Sequence, residues 1–425
     1  MSESENSTSS SASTNSESYS LIKQRDFMLY MMARLFANLG VQMQTVAVGW
    51  AVYSKTSQPL DLGLVGLSQF APFVLLILPA GHFADHHDRR RIVVSCLALH
   101  SLCALVLGLL TLGEINSVWP IFAAMLLLGT ARAFIMPAAQ AILPNMVPRE
   151  YLGRALAFNS SVFQVTTIVG PAIGGVLLIA GGLTVFIVTF AFMVVATLCA
   201  MAVKTIAAPE RTASQPKSDP DIKSLLSGLR FVRSRPAVLG AISLDLFAVL
   251  FGGSVALLPI YARDILHVGP TGLGFLRSAP GVGAVICALW LTAKPIDKHV
   301  GAWMFISVAL FGMSTMIFGA STHFALSLFA LVILGASDMV SVFVRGYLVQ
   351  VMTPDDIRGR VSAVSSVFIG ASNELGEFES GVTAEWLGTI RSVVIGGAAT
   401  LGVTLLWTRL FPELRNMNEF PKAER

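Results

Sequence analysis

The sequence is short of charge. Only 13% of its 425 residues are Asp, Glu, Lys or Arg, about half the share of an ordinary soluble domain, while 54% are hydrophobic and the mean hydropathy is +0.71. That deficit excludes a soluble globular protein and leaves a polytopic membrane protein. Cysteine is scarce too. Cys96, Cys103, Cys199 and Cys287 all lie in apolar runs without metal-ligand spacing, so they read as small packing residues. The histidines His82, His86 and His87 cluster in a loop but have no matching Cys or acidic ligands, and no metal site is expected. No nucleophile–base spacing appears either, so an enzyme is not expected. The first 20 residues lack the basic start and apolar core of a signal peptide, and 1–20 read as a disordered tail.

What is there is a series of long apolar runs. About 12 of them approach the ~20-residue length that crosses a bilayer. They fall near 27–53, 61–84, 92–112, 118–138, 157–180 and 183–203, then 237–262, 271–293, 301–320, 324–346, 359–385 and 390–411. The expected fold is therefore an all-α membrane protein of two six-helix bundles, 21–204 and 237–411. A proline-containing linker at 205–236 joins them, with a short amphipathic surface helix from Asp221, and a tail follows at 412–425.

The basic residues orient the chain. With the termini and linker on one side, about 22 of the 29 Lys and Arg fall there, and the positive-inside rule makes both termini cytoplasmic. The sequence pI near 8.9 is thus a topology signal rather than a nucleic-acid footprint.

The halves repeat. Pro148, Gly153 and Arg154 align with Pro354, Gly359 and Arg360, and one offset carries on through Gly129/Gly335, Gly170/Gly376 and Gly175/Gly381. Parallel six-helix repeats of this kind characterise one class of transporter, with the substrate site between the halves.

Ionisable residues inside the spans concentrate on particular helices: Arg34, Arg132, Asp245, Arg277, Asp338, Arg345 and the acids of the eleventh span. Spans 3, 6, 9 and 12 carry none away from their ends except His100 and are expected to face lipid. Intramembrane charges mark interiors and functional sites. Arg132 aligns with Asp338, and Arg34 with Asp245 at a slightly larger offset. The four are expected at one shared depth, about 9–15 Å from the cytoplasmic ends. Two arginines of one half would then face two aspartates of the other, either as static packing pairs or as a cytoplasmic latch. The stretch Met352–Gly381 opens with Pro354, Asp355 and Asp356 as a helix start and then carries Asn373, Glu374, Glu377 and Glu379. It reads as a spanning helix with interior carboxylates, against a helix that ends early and leaves its acids in an outer loop. Glu374 and Glu377 lie one turn apart on one face, and two close carboxylates in a poorly solvated site favour holding a proton.

Two further motifs stand out. After span 2 come Gly81, Asp85, Arg89, Arg90 and Arg91, with a worn copy around Asp297 and Lys298. Gly81 would allow close helix approach, and Asp85 would anchor a cytoplasmic turn. Span 5 holds Gly170, Pro171, Gly174 and Gly175, where Pro is expected to kink the helix and the glycines to admit a close neighbour.

On these residues the chain resembles the major facilitator superfamily over nearly its whole length, and within it the siderophore-exporter group. The loop motif is matched at Gly81, Asp85 and Arg89–Arg91, with Asp88 in place of the family's second glycine. The exporters' helix-5 motif is matched at Gly170, Pro171, Gly174 and Gly175. Arg132 lies near the place of the drug/proton antiporters' arginine, but its flanks differ. The run Ser372–Gly381 carries the siderophore-exporter likeness. The resemblance implies a proton-coupled inner-membrane exporter working by alternating access. Glu374, Glu377, Asp245 and Asp338 would serve coupling, and Arg34, Arg132, Arg277, Arg345 and Asn373 the substrate cavity or latch. No cofactor beyond the proton gradient is implied. The partners are a small-molecule substrate and the bilayer, with no nucleic acid, and the unit is a monomer. A broad drug/proton antiporter is the alternative, and a non-transporting scaffold or sensor the reading from another class.

Overall fold

The structure is a computed structural model that describes residues 21, 24–112, 117–204, 222–354 and 357–421. The tail 1–20, much of the linker, and Asp355 and Asp356, for which expectations were given, lie outside the described residues. Among those described there is no strand. The first half consists of α1 (Arg25–Thr56), α2 (Pro59–His86), α3 (Arg89–Leu112), α4 (Trp119–Met146), α5 (Leu152–Leu177) and α6 (Gly182–Ala202). The linker helix is α7 (Ile222–Ser234). The second half consists of α8 (Pro236–Gly252, running on through shorter turns to Ile265), α9 (Gly269–Ala293), α10 (Val300–Ala320), α11 (Phe324–Met352), α12 (Arg358–Leu387) and α13 (Thr389–Leu410), with a closing turn, α14 (Pro412–Arg415).

Among the described residues, eleven of these helices are long and apolar enough to cross a membrane. The twelfth, α12, has 30 residues and runs unbroken past Glu374, Glu377 and Glu379 to Leu387. The acids therefore lie within the helix, and the reading that ends it early is wrong. Carboxylates are exactly what lower its apolar character while its length remains that of a span.

The repeat is visible in the packing. Within the first half α1 packs on α5 and α6, α2 on α4, and α3 on α4 and α6. In the second, α8 packs on α12 and α13, α9 on α11, and α10 on α11 and α13. The glycines show why. A Cβ on Gly129 of α4 would lie 2.8 Å from the carbonyl carbon of Gln69 on α2. One on Gly335 of α11 would lie 2.5 Å from that of Pro280 on α9. Each is a site where backbone meets backbone and no side chain fits. The chain reversals are also paired: Gly181 before α6 has φ 104° and Gly388 before α13 has φ 84°, a region open to glycine.

The halves meet along α5 with α9 and along α2 with α12. Here too glycines face each other. A Cβ on Gly175 would sit 2.8 Å from Gly274 Cα, and one on Gly381 2.9 Å from Gly63 Cα. Both contacts lie toward the end of the bundle remote from the termini. At that far end Tyr53 of α1 donates a hydrogen bond to Asp264, and Arg263 donates to the Tyr53 carbonyl at 3.1 Å and to Ser57 Oγ at 3.2 Å. Toward the termini, by contrast, Gly81 of α2, Gly153 of α5 and Gly359 of α12 face open space. The molecule is closed at its far end and splayed at the end that carries the termini. The expectation that Gly81 admits a close neighbour does not hold in this conformation.

The linker helix α7 is not a free surface element. Val232 is buried in a cluster with Val238, Ile242, Val349 and Val361, and Gly228 lies where a Cβ would be 3.0 Å from the Arg360 carbonyl oxygen. Gly228 and Val232 thus face the second bundle, while Leu229 is exposed.

Candidate functional site

The residues that join the halves at mid-depth form a mixed charge cluster. Arg132 of α4 donates through Nη1 to Glu374 Oε1 of α12 at 2.5 Å. The guanidinium also stands 5.0 Å from the centroid of the Phe73 ring, a cation–π arrangement. Arg277 of α9 lies within electrostatic reach of both Glu377 and Glu374, and Glu377 within reach of Arg132. The Glu377 carboxylate rests on α2 where a Cβ on Gly66 would be 3.0 Å from Oε2. Three helices, one from the first half and two from the second, supply the two arginines and two carboxylates, and α2 supplies the glycine on which Glu377 rests. Such a cluster can hold or release one proton while its remaining charges rearrange, because a carboxylate that takes a proton no longer anchors its arginine. Gly66 was not foreseen. Its only sequence trace is the Gly63–Gly66 spacing on one helix face.

Other expected pairings are not made. Arg34 does not face Asp245, and Arg132 does not face Asp338. Asp245 is bound inside its own half instead. Arg345 of α11 donates to Asp245 Oδ2 and Ser341 donates to Oδ1 at 3.0 Å, with both charged side chains about 95% buried. Asp245 is therefore held in an ion pair within its own half in this conformation, and Arg345 turns to that pair. Asp338 lines a small space beside it with Ser337 and Phe311. The expected depth of about 9–15 Å from the helix ends holds for Arg34 and Asp245 but not for Arg132 and Asp338. Arg34 and Asp245 stand nine residues from the starts of α1 and α8, whereas Arg132 and Asp338 stand fourteen from the ends of α4 and α11, about 21 Å in. The cause is that α4 and α11 continue to Met146 and Met352, beyond their most apolar stretch. Asn373 is exposed. His100 of α3, expected on a lipid-facing helix, lines a cavity inside the first bundle, its Nδ1 3.2 Å from the Cys96 carbonyl.

The loop motif is built as a pair of caps. Asp88 Oδ1 accepts from the backbone N–H of Arg90 at 2.9 Å and of Arg91 at 3.4 Å, capping α3. Arg90 donates to the carbonyls of Ala200 and Met201 and so satisfies the end of α6. Arg89 pairs with Asp85 at 3.5 Å and Arg91 with Asp88 at 3.6 Å. In the helix-5 motif, Gly170 and Gly174 pack on Gln42 and Met43 of α1, while Gly175 and the Pro171 carbonyl pack on Gly274 of the other half. The helix continues through Pro171 to Leu177.

Two pseudo-symmetric six-helix halves with a charged interface decide the architecture, and sequence comparison assigns the family. A family model described as transmembrane secretion effector matches residues 16–424. The chain belongs to this branch of the major facilitator superfamily. Among similar superfamily members are the uncharacterized transporter YfiS of Bacillus subtilis, 22% identical over 90% of this chain and 92% of that one. The enterobactin exporter EntS of Citrobacter koseri is 25% identical over 93% and 94%. The multidrug efflux pump Tap of Mycolicibacterium fortuitum is 26% identical over 86% and 91%. Solved structures share the fold. A bacterial homolog of the human lysosomal transporter Spinster, inward-facing and occupied, matches with a TM-score of 0.70 and 14% identity, covering 92% of this chain and 98% of that one. An inward-facing bacterial homologue of ferroportin matches with 0.68 and 16%, covering 92% and 99%. The chain is a multi-pass membrane transporter of this superfamily.

Proposed function

We propose that this transporter exports a small molecule across the bacterial inner membrane by alternating access, driven by the proton gradient without a cofactor, as a monomer with both termini cytoplasmic. The observation that carries the reading is the Arg132–Glu374 contact between the halves, with Glu377 and Arg277 beside it. With the termini cytoplasmic, the splayed end faces inward. A proton arriving at Glu374 would neutralise the carboxylate, free Arg132 and loosen one half from the other at mid-depth. Closure of the near end would then bring the loop of Asp85 and Arg89–Arg91 toward α12. Rigid-body rocking of two bundles about a fixed site is the general mode of such repeats.

The substrate we propose is a siderophore, a reading supported by the likeness to EntS. Export of lipophilic cations is the second reading, favoured by the acids Glu374, Glu377 and Glu379 on α12 and the likeness to Tap. Efflux of a catecholate siderophore and of a lipophilic cation, compared in a transporter-deleted host, separates the two. For coupling, Glu374→Gln and Glu377→Gln in proteoliposomes are expected to keep downhill exchange and lose ΔpH-driven accumulation. Unchanged ΔpH-driven flux in both would overturn the assignment.

A further inference from the structure

We propose that a cavity inside the first bundle is a binding subsite for an elongated organic anion, its acidic group held by Arg34 and Asn38 and a hydrogen-bond donor at its other end received by Gln44. This rests on the transport reading and names a ligand chemistry for it. The cavity holds about 460 Å³ and every residue lining it comes from α1–α6. It is thus set in the wall of the first half, not in the seam between the halves, and its volume lies in the range of sites for drug-sized ligands.

Three residues that line it from α1 each carry a buried polar atom with no hydrogen-bond partner among the described residues, Arg34 Nε, Asn38 Nδ2 and Gln44 Oε1, although the Arg34 side chain also interacts with Tyr30 one turn before it. Gln44 is only 5% exposed. Buried polar groups are nearly always satisfied, so three orphans on one cavity wall ask for an occupant. Their chemistry describes it. Arg34 Nε–H and Asn38 Nδ2–H are donors one helical turn apart, which calls for an acceptor, and beside a guanidinium the favoured acceptor is an anion. Gln44 Oε1 is an acceptor ten residues further along α1, about 15 Å away, and it calls for a hydroxyl or N–H. Among the described residues no Asp or Glu lines the cavity, so Arg34 has no carboxylate there to compete with a ligand. The middle is apolar, with Ala37, Val41, Leu128 and Met136 among its walls. Arg132, the arginine that grips Glu374, forms part of the same lining. An anion in the cavity therefore sits next to the joint between the halves.

The second half shows that the space is not a by-product of the fold. At the equivalent place Arg345 and Ser341 bind Asp245, and the room left over is about 10 Å³. By the repeat offset Ala139 and Ile135 stand where Arg345 and Ser341 do. One copy of the site was given its counter-charge within the protein. The other was left with a cation and a cavity.

Binding to the purified full-length protein in nanodiscs, with empty nanodiscs subtracted, tests this without requiring flux. The probes are 12-hydroxydodecanoate, its methyl ester, dodecanoate and dodecylamine. The expected order is the hydroxy acid tightest, dodecanoate several-fold weaker for want of the far donor, and the ester and amine at least tenfold weaker. Arg34→Gln should erase the preference of acid over ester, Arg34→Lys should keep it, and Gln44→Leu should remove only the advantage of the hydroxyl. Equal binding of acid and ester to the wild-type protein would overturn the proposal whatever the variants do, and would mean that water alone satisfies the orphans. A preference that survives in folded Arg34→Gln would overturn it as well. Loss of flux with the binding order intact would instead count against the transport reading.

Discussion

The two halves share one helix-packing plan and differ in what they do with charge. In the second, a buried aspartate is closed into an ion pair with Arg345 and the space around it is filled. In the first, Arg34 stands at the aligned position with its Nε unpartnered beside about 460 Å³ of cavity. Duplication supplied two equal frames. The difference lies in a few side chains, which make one frame a rigid wall and the other a receptive one.

The contrast breaks most visibly at Arg345. Arg345→Met strands a buried carboxylate and should lower stability by about 3–5 kcal/mol, while the double change Asp245→Leu with Arg345→Met should recover most of it. Arg34→Met, at the aligned site, leaves no carboxylate behind and should cost well under half as much, about 1 kcal/mol. Thermal unfolding of the three purified proteins reads the difference. Equal losses at Arg345 and Arg34 would end the comparison.

Where the halves are alike, the effects should match. Gly129→Ala and Gly335→Ala each push a methyl into a neighbouring backbone carbonyl, and overpacking of this kind costs about 1–3 kcal/mol. The two melting shifts should agree closely, and a clear inequality would show that the frames are not equivalent.

Much of this frame was legible in the sequence. Span positions and the repeat follow from hydropathy and from Gly, Pro and Arg kept in register, which are properties of the chain read locally. The pairing of the charges was not. Asp245 aligns with Arg34, and that alignment suggested a bond across the halves, yet alignment says nothing of which way a helix is turned within its bundle. Ser341 and Arg345, one turn apart on α11, were the trace of the true partner. The mid-depth position of Arg132 was missed because α4 runs on to Met146. His100 was noticed as an oddity, but a lone polar residue in an apolar helix does not disclose which neighbour it faces. The carboxylate pair of α12 was legible because acids in a membrane-length helix stand out against composition alone.

A smaller change would sharpen the contrast. Ala139→Asp offers Arg34 the internal counter-charge that its counterpart already has. It should reduce binding of 12-hydroxydodecanoate by at least tenfold, about 1.4 kcal/mol, with little change in melting. Smallest of all should be Tyr53→Phe, which removes the hydrogen bond to a half-exposed Asp264 at the far end. A cost of under about 1 kcal/mol is expected there. The readout is a few-fold rise in far-end opening, measured by the distance between spin labels on the tips of the two halves.

The facing glycines Gly175 and Gly274, with Gly63 and Gly381, carry a mechanical consequence. Interlocked side chains act like gear teeth: to turn, they must first disengage, and each step has its own barrier. Where these glycines meet, no side chain stands between the two backbones. One half can roll on the other about a fulcrum running through both contacts, with the long near-end arms sweeping widely while the points of support hardly travel.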